Sequence, residues 1–288
     1  GHVANYALAG LWGGLLAGVL VGFGEAAWLS RTLSGLGETG MFWWGPLVYG
    51  LLFTGAGLAT ALCTQMMSLN RAESAGPCRS LVQSYVHHGV FFSMLPWRSR
   101  ARNYFSKGLQ LSRTIGDTMA EGFAHAYLGL HYHTTNDMGQ AIEHCNEGIA
   151  LLEQIGEKWE LAVAYYWKGY AHFESGEFPQ AHQAFRRVLE VGRDAQDPRT
   201  TAWGMYLCAM MTAVTETPDD TTVMALGESQ RMLEKAGDRM HAMTALRVLG
   251  DVYRRTGETA TSLACLEKAA HEVLSNQLLA SWLTDIFG

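Results

Sequence analysis

Charge is missing where a folded chain normally spreads it. The 288 residues include 27 acidic and 21 basic side chains, yet residues 1 to 70 hold only Glu25, Arg31 and Glu38. Catalytic patterns are missing too. No phosphate-cradling glycine loop, GxSxG elbow or zincin motif occurs, so no catalytic residue is expected and the chain is read as a non-enzyme. The five cysteines, Cys63, Cys78, Cys145, Cys208 and Cys265, are odd in number, scattered and without a CxxC pair. That excludes a disulfide framework or thiolate zinc site and predicts reduced, mostly buried thiols. A formal net charge of −6 with no long basic face disfavours nucleic acid as a partner.

The poorly charged N-terminal quarter contains two long apolar runs, positions 1 to 24 and 39 to 70, each without a formal charge. A helix needs about 20 apolar residues to cross a bilayer core of ~30 Å, and each run is long enough. The expected spans are Tyr6 to Leu29 and Met41 to Met66, joined by the turn SRTLSGLGETG, with Trp28, Trp43 and Trp44 placed as an interfacial belt. Within GLWGGLLAGVLVG, Gly10, Gly14, Gly18 and Gly22 recur every four residues. In lipid, small residues at that spacing let helices approach closely, so these glycines are read as a helix-packing ridge. Its partner is the second span, through Gly50, Thr54, Gly57 and Ala61, or a helix of a neighbouring subunit. Arg71, Arg79, Arg98, Arg100 and Arg102 outweigh Arg31 of the turn, which by positive-inside counting puts the C-terminal part in the cytoplasm. The localisation expected from these features is a membrane, crossed twice, with lipid among the partners.

The remaining three quarters repeat. YVHHGVFF, AYLGLHY, YYWKGYAHF and RVLGDVY centre on Gly89, Gly129, Gly169 and Gly250, a period of 40 to 41 residues with one unit that carries Ala209 at the glycine position. Twelve residues after each glycine stands a small residue, Ala101, Ala141, Ala181 or Ser262, and sixteen after it a bulkier one, Phe105, Cys145, Phe185 or Leu266. Small residues let paired helices cross closely while the bulky one fills the gap. Each unit reads as two helices, broken at TTNDM, ESGEF and RTGET inside units and at TIGDT, QIGEK and KAGDR between them, with Pro179 at a helix start where its missing N–H is harmless. One unit cannot bury its apolar face alone, but a stack can.

In these positions the chain resembles the tetratricopeptide repeat family, whose pattern W-x2-L-G-x2-Y followed by A-x3-F is met by Leu128, Gly129, Tyr132 and Ala141, by Gly169, Ala181 and Phe185, and by Leu249, Gly250 and Tyr253. The match covers residues 78 to 275. Its period exceeds the usual ~34 residues and resembles the longer variant found in kinesin light chains and in the helical arms of bacterial regulators and signalling ATPases. The fold expected is all-α: two transmembrane helices followed by a tetratricopeptide-like solenoid of about five helix pairs. The domains expected are a hairpin over 1–66, a linker over 67–77, the solenoid over 78–275 and the start of a further repeat, or a trimmed end, over 276–288.

The resemblance implies protein binding in a concave groove lined by the first helix of each unit. Carried over by register, the groove positions include Phe123, Ala126, Leu130 and His133, then Val163, Tyr166, Tyr170 and Phe173, then Trp203, Tyr206 and Met210. The fifth unit supplies Arg247, Asp251, Arg254 and Arg255. The Lys/Asn carboxylate clamp of chaperone-binding members is absent, so the ligand expected is an amphipathic helix or extended segment with aromatic anchors and an acidic end. His87 and His88, and His125, His131 and His133, are the histidine groups that merit testing as metal ligands. No carboxylate or cysteine joins them at ligand spacing along the chain, so neither metal nor cofactor is expected. The functional reading is a membrane-anchored adaptor that binds a protein through this aromatic groove. Two alternatives stand beside it: an accessory subunit packed by its glycine ridge on a larger membrane complex, and the sensory arm of a signalling enzyme whose catalytic domain lies elsewhere.

Overall fold

A computed structural model describes residues 66–67, 69–93 and 97–274, with side chains described to 269. The chain divides into two units, Gly1–Gly76 with Gly288, and Pro77–Phe287. The described part of the first is a short helical stretch ending at residue 74. The second contains ten helices among the described residues: α1 (Arg79–Ser93), α2 (Arg98–Ile115), α3 (Thr118–Thr134), α4 (Met138–Ile155), α5 (Trp159–Glu174), α6 (Phe178–Asp194), α7 (Pro198–Thr215), α8 (Asp220–Lys235), α9 (Arg239–Thr256) and α10 (Thr259–Leu274). Consecutive helices pack on one another, and the first helices of the pairs also meet, α1 with α3, α3 with α5 and α7 with α9. That is solenoid packing, with the first helices forming a layer of their own.

Local chemistry sets the helix ends. Asp117, Asp137, Asp197, Asp219 and Asp238 each accept a backbone N–H of the first turn and so satisfy a donor the helix itself leaves unpaired. The turns between units pass through Gly116, Gly156, Gln196 and Gly237, all with left-handed φ between 52° and 78°. Glycine is the residue that adopts this conformation without strain, and Gln196 is the exception in the series.

The glycine register has the packing role its spacing implied. A methyl group placed on Gly89 would stand 2.8 Å from the Phe105 ring, and one on Gly250 2.9 Å from Leu266. Gly129 and Gly169 face the Cys145 sulfur and the Phe185 ring more closely still. Ala101, Ala141 and Ala181 are fully buried, and Ser262 turns its hydroxyl to donate to the Gly250 carbonyl at 2.8 Å. In the fourth unit Ala209 replaces the glycine, and the residue sixteen positions on is Ala225. A methyl group takes the place of hydrogen at the one position and the bulky side chain shrinks to a methyl at the other.

An ion pair also recurs between units. Arg79 at the start of α1 donates to Asp117, the cap of α3, at 2.6 Å, and Arg199 at the start of α7 donates to Asp238, the cap of α9, at 3.2 Å. Both pairs tie a first helix to the next one.

The membrane localisation expected from the sequence is corrected by this architecture. Among the described residues no helix is long and apolar enough to cross a membrane. The ten helices have at most 18 residues, about 27 Å at 1.5 Å per residue, and those of high amphipathicity such as α6 spend one face on charged side chains including Arg186, Arg187 and Glu190. The segments proposed as spans, apart from Met66 at the end of the second, and the glycines Gly10, Gly14, Gly18 and Gly22 lie outside the described residues. The four described cysteines are free thiols, and burial pushes the Cys145 thiol up to about 12, leaving it inert.

Candidate functional site

The widest gap in the layer of first helices lies between α5 and α7, whose backbones do not approach as the other neighbouring first helices do. Large side chains hold them apart: Trp159 meets Trp203 with centroids 5.1 Å apart, Tyr166 meets Trp203 at 5.6 Å, and the Tyr206 hydroxyl donates to that of Tyr166 at 3.3 Å. Interaxial distance follows side-chain size. The result is a cavity of about 80 Å³ walled by Tyr127 and Leu130 of α3, Trp159, Val163, Tyr166 and Trp167 of α5, Arg199 and Trp203 of α7, and Met240 and His241 of α9.

One end of this cavity is polar and fully organised. The Arg199 guanidinium lies 4.8 Å from the Trp159 ring centre and 5.5 Å from that of Trp203, within cation–π range. The fully buried Asp238 carboxylate accepts from Arg199, from the Trp203 indole N–H at 2.7 Å and from the His241 backbone N–H at 3.2 Å, with His241 Nδ1 at 2.8 Å. Burial alone raises such a carboxyl, but His241, Trp203 and Arg199 together hold it well below the usual carboxylate range. His241 packs on Trp203 at 4.5 Å and edge-on to Tyr166 at 5.6 Å, which fixes the ring beside the cavity.

Glu160, next to Trp159, has the opposite electrostatics. Its side chain is buried, its Oε2 has no hydrogen-bond partner, and burial, reinforced by Glu157, raises its pKa to about 8. At neutral pH it carries a proton. Burial and the proximity of Glu160 likewise push the Tyr127 hydroxyl upward.

The residues expected in the groove fall into three groups. Leu130, Val163, Tyr166 and Trp203 meet around the cavity. Phe123 is buried against Tyr127 at 4.7 Å, Tyr170 packs on Tyr166 at 4.8 Å and Phe185 at 5.4 Å, Phe173 meets Phe178 at 5.8 Å, and Tyr206 is fully buried. Arg247 and Arg254 are exposed and share Asp251, at 3.6 and 3.5 Å, while Arg255 donates to the carbonyls of Ala213 and Glu216. Sequence reasoning missed Tyr127, Trp159, Trp167, Arg199, Met240, His241 and Asp238. A signal was available, because Trp159, Arg199 and Met240 repeat at 40 to 41 residues, one helical turn before the groove register used, and Tyr127 and Trp167 repeat at 40.

No family model matches the chain, and no curated protein matches it. Solved structures do. BtubC (BKLC) of P. vanneervenii superposes with a TM-score of 0.60 at 13% identity, over 75% of this chain and 90% of that one. Aspartyl phosphate phosphatase F of Bacillus subtilis gives 0.57 at 13% identity, over 90% and 70%. A kinesin light chain of Podosopora anserina with nearly identical TPR-like repeats gives 0.51 at 11% identity, over 69% and 98%. The fold is TPR-like. At these identities the likeness concerns architecture alone, and the tetratricopeptide-like solenoid carries its own cavity, capped by its own Arg199–Asp238 pair.

Proposed function

We propose that this solenoid is a protein-interaction scaffold that seats one side chain of a partner segment in the cavity between α3, α5, α7 and α9. The observation that carries the reading is the cavity itself: aromatic and aliphatic walls from four successive first helices, with a polar end already satisfied internally. A cavity near 150 Å³ accommodates benzene. At about 80 Å³ this one suits an aliphatic tip such as leucine or methionine, with Trp159, Trp167 and Trp203 supplying the broad contact surface typical of interaction anchors. Arg247 and Arg254, at groove positions of the fifth unit, are the basic contacts for an acidic end of the same segment. Catalysis forms no part of this reading.

The test is affinity capture with quantitative comparison of variants. Trp167→Ala with Met240→Glu abolishes recovery of the partner, Arg247→Ala with Arg254→Ala weakens it, and Glu228→Ala on the exposed side of α8 leaves it unchanged, at matched circular dichroism. Equal recovery with all three variants overturns the assignment of the cavity.

A further inference from the structure

We propose that His125, His144 and Glu147 form a binding site for a divalent transition-metal ion of the zinc class. The three side chains come from the two helices of one pair, His125 from α3 and His144 and Glu147 one turn apart on α4. Their ligating atoms converge: His125 Nδ1 is 3.0 Å from His144 Nδ1 and 2.9 Å from Glu147 Oε2, and His144 Nδ1 is 3.8 Å from the same oxygen. Zinc binds nitrogen and carboxylate oxygen at about 2.0–2.2 Å, so tetrahedral neighbours lie about 3.3 Å apart. The observed separations straddle that value, and a point about 2 Å from all three atoms exists between them.

Without a cation the cluster is short of protons. Two imidazoles that face each other through Nδ1 hold one proton between them, and Glu147 Oε2 lies close enough to His125 Nδ1 to share it. A metal ion satisfies all three acceptors together. The rings are also held in place: His125 is 1% exposed, and Tyr132 stacks on His144 at 5.2 Å with 11° between the planes. Burial is the leading influence on both rings and disfavours the charged form of each. Glu147 is half-exposed, which leaves a fourth position open to water. One feature opposes binding. Arg113 places a guanidinium nitrogen 3.5 Å from His125 Nε2, the nitrogen that must carry the proton once Nδ1 ligates a metal. Arg113 is 57% exposed and anchored through Nε to Glu121 at 2.7 Å, so that contact is released without breaking the anchor.

The experiment uses the full chain, stripped with chelator and titrated with Zn²⁺ by calorimetry and with Co²⁺ by absorption. One equivalent binds, with intense tetrahedral cobalt bands. His144→Ala and Glu147→Gln each weaken binding at least about tenfold, Arg113→Gln tightens it, and His182→Ala leaves it unchanged. In the unsubstituted protein, zinc moves the imidazole ¹⁵N resonances of His125 and His144, a readout independent of whether a variant folds. Absence of binding below millimolar zinc, binding equal in both ligand variants, or resonance shifts confined to other histidines overturns the proposal.

Discussion

Glu160 shows how far one side chain departs from its ordinary chemistry inside this solenoid. Its pKa moves from 4.5 to about 8 because burial removes water from the charged form and Glu157 adds like charge. The folded state therefore binds a proton that the unfolded chain releases above pH 4.5. The sign follows from that difference: stability is fully retained below about pH 4.5 and falls as pH rises toward 8. Glu160→Gln, which cannot ionise, raises the melting temperature more at pH 8 than at pH 5. Thermal melts at the two pH values check this, and an equal shift at both refutes it. Asp238 is the contrasting case, since its burial is offset by three donors and it stays ionised. Neither environment was legible in the sequence, where Glu160 and Asp238 sit near helix starts like any capping or first-turn acid.

Among the elements, the helix crossings obey the sequence closely. Gly169 in the middle of α5 faces the Phe185 ring of α6. Alanine is favoured over glycine in a helix by about 1 kcal/mol, but here the added methyl overpacks a buried crossing at a cost of about 1–3 kcal/mol. Gly169→Ala therefore destabilises despite its better propensity, measured as a lower denaturant midpoint. Gln196 gives the reverse expectation. Its φ of 52° occupies a turn register held elsewhere by Gly116, Gly156 and Gly237, so relief of left-handed strain of ~1–2 kcal/mol exceeds the added chain entropy. Gln196→Gly raises stability by up to about 1 kcal/mol, and a fall in the midpoint refutes the assignment. The glycine and bulky registers were readable because one unit's crossing is repeated in the next. The Arg199–Asp238 link was not, because its partners are 39 residues apart on different units.

At the scale of the whole repeat unit Pro77–Phe287, the main buried cluster leaves out the first two helices, α1 and α2. It runs from Ala126 through Trp203 and Tyr206 to Ala269. Stability in a solenoid is a sum of unit and neighbour terms. Amide exchange is therefore slowest in α5 to α7 and fastest in α1 and α2, as hydrogen-exchange mass spectrometry will read. Uniform protection across the ten helices refutes this.

The sequence by itself determined the period, the helix pairs and the close crossings, because these depend on residues at fixed spacing within one unit and recur with it. The uncharged N-terminal runs, in contrast, led to a membrane localisation that no described helix supports. Only the tertiary structure decided that Leu130, Tyr166 and Trp203 share a cavity while Tyr206 is sealed in the core, and that His125 meets His144 and Glu147 across a helix pair. Such sites depend on how far neighbouring helices are held apart and which faces they turn to each other. Those distances are set by the packing of side chains from several units together, which no single stretch of sequence records.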